Sequence, residues 1–127
     1  SLDFNDPEPY YHLSNYYNLK NDYLKSITYL SIAVFKLIEG KEKGYSINGE
    51  LGSQQYLFNL YLKRAKLYKK LNINILECQD LNNALKAISK FQDLSQENLR
   101  TLDVYVAEGY INKMINEIEK LILENCN

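Results

Sequence analysis

Between Leu13 and Ala33 the chain reads LSNYYNLKNDYLKSITYLSIA, with apolar and aromatic residues at helical spacing on both sides of an interruption at Lys20-Asn21-Asp22. Residues three and four apart share a helix face. The stretch therefore predicts two short amphipathic helices folded back on each other. A weaker copy, RAKLYKKLNINILECQDLNNA, runs from Arg64 to Ala84. Repeated helix pairs usually exist to present a surface, so the first question is what such a chain binds.

The rest of the sequence extends the helical pattern. The two prolines, Pro7 and Pro9, precede it, and Asp6-Pro7 followed by Glu8 makes a helix start. Tyr10, Leu13 and Tyr17 mark the first helix. Tyr23, Ile27, Leu30, Val34 and Leu37, with Ile38 adjoining, mark the second, and Gly40 is its expected stop. Gly40 to Gly52 has four glycines and no helical period, which predicts a loop with a turn at Asn48-Gly49. It is not a phosphate loop. Gly44 and Gly49 have the right separation, but Glu50 and Leu51 stand where that motif needs Lys and Ser or Thr.

A third helix is expected from Ser53 to about Leu71, with Leu57, Leu60, Tyr61, Ala65, Tyr68 and Leu71 on one arc and Lys63, Lys66, Lys69 and Lys70 on the opposite one. After a turn at Asn72 and Asn74, a fourth helix carries Ile75, Cys78, Leu81, Leu85 and Ile88 on one face. Ser95 reads as the N-cap of a last helix reaching Asn125, which Gly109 would bend if it is not continuous. The fold class expected is all-α, with about five helices in a single domain over 1–127. It divides into a first pair over 9–39, a loop over 40–52, a second pair over 53–91 and a capping helix over 95–125.

The first pair resembles the tetratricopeptide repeat, a helix-turn-helix unit of about 34 residues. Leu13 and Ser14 fill that family's large and small places in the first helix, and Tyr17 fills the aromatic one. Asn21-Asp22-Tyr23 stands for its Gly-Asp-Tyr turn, and Ser26, Leu30 and Ala33 match the small, large and small places of the second helix. In the second pair Ala65, Tyr68, Leu81 and Ala84 match, while Glu77 falls where a small residue is normal. The resemblance implies antiparallel pairs stacked as a short right-handed superhelix, with the last helix covering the open apolar face. It also implies a structural ion pair. A common subtype carries Arg and Asp at the places of Arg64 and Asp80, and Arg64 falls within an apolar arc, where an unpaired guanidinium is costly.

The 15 Lys and Arg balance 16 Asp and Glu, which removes the broad electrostatic drive of a general nucleic-acid binder. No apolar run approaches the ~20 residues that span a bilayer. Ser1 in place of Met reads as the start of a processed or excised piece, and the expected compartment is cytoplasmic. Two cysteines, Cys78 within a helix and Cys126 near the C-terminus, do not make a disulfide framework and are expected as one semi-buried and one exposed thiol. The single histidine, His12, has only Glu8 one turn back and is expected at a groove edge. No catalytic, metal or cofactor set is expected, so the chain reads as a non-enzyme.

The function expected is a protein-interaction module that holds a peptide or partner helix in a concave groove. The resemblance places Tyr11, Asn15, Asn18 and Leu19 of the first unit on that groove, facing Asn59, Leu62, Lys66, Lys69 and Lys70 of the second. Chaperone tails are not the expected cargo, because Tyr11 and Glu108 stand at basic places of the carboxylate clamp that binds them. The alternative is a regulatory or dimerising segment of a larger protein, such as the sensor region of a transcription regulator or a lipoprotein, pairing through its last helix.

Overall fold

A computed structural model describes residues 6–42, 49–98 and 101–126, and the side-chain surroundings of all these except 49, 97–98 and 101–107. The described residues form five α-helices and no strand: α1 Glu8–Leu19, α2 Tyr23–Glu42, α3 Gly49–Lys70, α4 Asn74–Asn98 and α5 Thr101–Asn125. Each helix packs against the one before it in the chain. Helix α3 thus lies between α2 and α4, and α5 closes the far side of α4.

Within each pair the two helices are joined by the same backbone turn. Asn21 and Asn72, 51 positions apart, both adopt positive φ, 59° and 58°. Asp22 N–H donates to Tyr17 O at 2.9 Å, and Ile73 N–H donates to Tyr68 O at 3.0 Å, so each turn caps the last carbonyls of its helix in the same way. Asn tolerates the left-handed region better than most residues. Asp22 then starts α2 by accepting the Lys25 N–H at Oδ1, 3.2 Å away.

Small residues bring α1 and α2 together. Ser14 Oγ donates to Ser26 O and Ser26 Oγ donates to Ser14 O, each at 2.8 Å, with the two hydroxyls also 2.8 Å apart. The reciprocal bonds satisfy polar groups that are otherwise fully enclosed, as burial requires. At the corresponding places of the second pair stand Ala65 and Glu77, both buried.

The core joins Leu30, Ala33 and Leu37 of α2 to Phe58, Leu60 and Ala65 of α3, Leu81, Ala84 and Ile88 of α4, and Ile111 and Ile118 of α5. Phe58 and Leu67 are buried although they lie off the single arc expected for α3. A helix packed on two sides needs two apolar faces. Ile75, expected inward, is 83% exposed in the first turn of α4.

Three expectations are corrected here. Gly40 does not end α2, and Gly49 to Gly52 belong to α3, so 40–42 and 49–52 of the expected loop are helical; 43–48 lie outside the described residues. A helical glycine costs about 1 kcal/mol, which a clip across the two helix ends helps offset. The Glu50 Oε1 atom meets Lys41 Nζ at 2.6 Å and Lys90 Nζ at 3.5 Å, and accepts from Gln54 Nε2 at 3.2 Å. Ser95 is not an N-cap. It lies buried inside α4 and donates its hydroxyl to Phe91 O at 2.8 Å, a bond that satisfies it without ending the helix. The helix α5 continues through Gly109, beside which nothing lies within 4 Å of an added Cβ.

The third correction concerns the cysteines. Cys78 and Cys126 are not two thiols but a disulfide, with Cα atoms 5.6 Å apart and a sequence separation of 48. The antiparallel packing of α4 and α5 brings the beginning of one beside the end of the other, and residue count alone does not place them. Asn74 Nδ2 donates to Asn125 O at 2.7 Å at the same junction.

The clip at Glu50 has a pH signature. The Lys41 ammonium, hydrogen-bonded to it, holds the Glu50 carboxyl below its usual pKa despite partial burial. A depressed carboxylate pKa stabilises the fold above the unfolded value, and that contribution fades as pH falls through the folded one. Glu50→Gln is expected to lower stability at neutral pH by no more than ~1 kcal/mol, since the group is partly exposed. Urea unfolding of the two proteins should converge in acid, and a constant gap at every pH would remove the clip from the account.

Candidate functional site

Helices α1 and α3 run beside each other and leave a cleft of about 270 Å³ lined by Ser14, Asn15, Asn18, Ser26, Leu30, Lys63, Lys66, Leu67 and Lys70. The lysines stand at i, i+3 and i+7 on α3, a spacing that puts all three on one face. Lys63 Nζ donates to Asn15 Oδ1 at 2.8 Å and lies 4.6 Å from the centre of the Tyr11 ring. The Lys63 ammonium beside it holds the Tyr11 phenol's pKa below its ordinary value, with partial burial acting against it. Lys70 Nζ lies 4.8 Å from the Tyr23 ring centre. Aromatic faces attract cations without neutralising them, so the cleft keeps its positive charge.

A neighbouring cleft, also about 270 Å³, is lined by Glu8, Tyr11, His12, Gly52, Gln55, Tyr56 and Asn59. Tyr11 meets Tyr56 edge to face, with ring centres 5.9 Å apart. Burial, with the nearby Glu8 charge adding to it, pushes the Tyr56 phenol up to about 12. At neutral pH the Tyr56 phenol therefore stays protonated. His12 Nε2 lies 3.7 Å from Glu8 Oε1, and both side chains are largely exposed.

The residues expected on one groove are thus divided. Asn15, Asn18, Lys66 and Lys70 share the first cleft, while Tyr11 and Asn59 line the second. Lys69 lines a third cleft, between α3, α4 and α5. Leu62 is half-buried against the core, because α3 has two packed sides. Leu19, the last residue of α1, is 83% exposed and lines none of these clefts. Lys63 was absent from the expected set, although its spacing to Lys66 and Lys70 was in the sequence to be read.

Arg64, on the other side of α3, holds the scaffold together. Its Nε and Nη2 donate to Asp80 Oδ2 and Oδ1 at 2.6 and 2.8 Å, and Nη1 donates to Ser31 Oγ at 3.0 Å. One guanidinium therefore ties α2, α3 and α4. Burial works against its charge, but the Asp80 carboxylate prevails and raises the Arg64 pKa above its ordinary value. A bidentate geometry of this kind is the strongest form of such a pair.

No protein-family model, curated protein or solved structure matches the chain. The likeness to tetratricopeptide repeats therefore stands on the residues alone. Among the described residues no group of three or more His, Cys, Asp or Glu is placed to hold a metal ion. No helix among them is long and apolar enough to cross a membrane.

Proposed function

We propose that the chain is a non-catalytic interaction module of tetratricopeptide-like architecture, which holds an acidic peptide segment along α1 and α3. The observation that carries this reading is the cleft where Lys63, Lys66 and Lys70 meet Asn15 and Asn18. Lysines supply charge-assisted hydrogen bonds to carboxylates, and the asparagines supply donors and acceptors for peptide backbone. Ser14, Ser26, the paired asparagine turns and Arg64 with Asp80 support the repeat architecture. A fluorescein-labelled peptide with three consecutive glutamates, read by polarisation, is the test. A Lys66→Glu/Lys70→Glu protein should lose at least about tenfold in affinity, the scale of one or two charge-assisted bonds. Equal binding by both proteins would remove the cleft from the proposal.

The disulfide bears on where such a module works. Disulfides persist in oxidising compartments and are rare where thiols are kept reduced. The Cys78–Cys126 bond supports an extracytoplasmic setting over the cytoplasmic one expected above. Pairing of two copies through α5 finds less support. That helix turns Ile111 and Ile118 onto the core and exposes Asn112, Lys113, Asn116, Glu117, Glu119 and Lys120.

A further inference from the structure

Glu77 is the place where the second helix pair departs most from the first. It occupies the position of Ser26, the close-contact residue of α2, and is 5% exposed. Other carboxylates drawn inward have cations on them: Asp80 has Arg64, and Glu50 has Lys41 and Lys90. No ion pair or side-chain hydrogen bond of Glu77 occurs among the described residues. A buried carboxylate without a partner is expensive. Its position in the first turn of α4 gives it the positive helix end, a weak compensation beside a cation. No fully enclosed side-chain oxygen or nitrogen among the described residues lacks a partner. The oxygens of Glu77 are therefore not sealed in, and what they reach is a cleft.

That cleft measures about 170 Å³ and is lined by Ala65, Lys66, Lys69, Glu77, Leu81 and Leu121. Its charge is ordered by depth. The carboxylate belongs to a buried residue, whereas Lys66 and Lys69 are exposed residues at the rim. Neither lysine comes within ion-pair distance of Glu77, so the rim does not close over the acid. Between them the walls are apolar and contributed by three helices.

We propose that this cleft binds a small zwitterion, a free amino acid, with its ammonium on Glu77, its carboxylate towards Lys66 and Lys69, and its short apolar part against Leu81 and Leu121. A simple cation would meet repulsion at the rim, and a simple anion would meet it at the floor. A dipolar molecule of this orientation meets neither. The site is separate from the acidic-peptide cleft apart from Lys66, which borders both.

The test uses the full chain, oxidised, with L-alanine and 4-aminobutyrate as probes and propionate and propylamine as single-charge controls, followed by methyl NMR shifts of Leu81 and Leu121. At least one zwitterion should shift both leucines and bind at least about tenfold more tightly than either control. Glu77→Gln should abolish those shifts, and Lys69→Gln should weaken them while leaving polarisation of the acidic peptide unchanged. Lys69→Gln alters an exposed residue and keeps the proposal testable even where Glu77→Gln fails to fold. No shift with either zwitterion at millimolar concentration would overturn the proposal. So would propylamine binding as tightly as the zwitterions, or full zwitterion binding by Glu77→Gln.

Discussion

Replacing Cys78 and Cys126 together by alanine is expected to cost about 4 kcal/mol of stability, the chain-entropy value for a closed loop of this length. The fold makes the loss concentrate in α5, whose backbone lies against α4 alone among the described helices. With the bond intact, the unfolded chain is already constrained, and α5 cannot leave without α4. With it absent, Ile111 and Ile118 must hold the last helix by burial alone. Urea unfolding of wild type with and without reductant, beside the double-alanine protein, measures this. The reduced wild type and the variant should unfold at the same lowered midpoint. Hydrogen exchange should show α5 amides losing protection first. If both midpoints match the oxidised wild type, the bond contributes nothing to holding the cap.

Breaking the pair at Arg64 is expected to be equally severe. Asp80→Ala should destabilise the protein by roughly 3–5 kcal/mol, because it leaves a largely buried guanidinium with only Ser31 and the Tyr61 ring beside it. Arg64→Ala should be similar, since it leaves the Asp80 carboxylate, 2% exposed, without its cation. The double variant Arg64→Met/Asp80→Leu should recover most of the loss, because two apolar groups of similar bulk carry no desolvation cost. Thermal or urea unfolding of the four proteins forms a double-mutant cycle. A double variant as unstable as the sum of the singles would mean that the two side chains act independently. Binding of the acidic peptide should be unchanged in whichever of these proteins remains folded, since Arg64 lines none of the clefts described.

Helix number and type were legible because spacing of apolar residues reports directly on the face a helix buries. The asparagines at 21 and 72 were legible as turns for the same reason that they adopt positive φ. Arg64 within an apolar arc required an acceptor, and Asp80, sixteen residues on, was the residue whose place matched. The misreadings came from contacts that arise only when distant segments meet. Gly40 and Gly49 look like helix breakers until the ions on Lys41, Glu50 and Lys90 are seen to bridge the ends. Ser95 looks like a cap because nothing in the sequence says that its hydroxyl bonds back to Phe91. Leu62 looks like a groove residue until α3 is known to be packed on two sides. The disulfide was hidden because its two residues meet only through the antiparallel return of α5.

That same return has a mechanical consequence. When the chain is pulled by its two ends, tension crosses directly from Cys78 to Cys126, and the intervening segment carries no load. At 3.3–3.6 Å per extended residue, roughly 160–170 Å of chain is kept out of any extension. The load path runs instead through α1, α2 and α3, the helices that form the lysine cleft. A partner gripping that cleft while the chain is under tension would thus be released before the last two helices open.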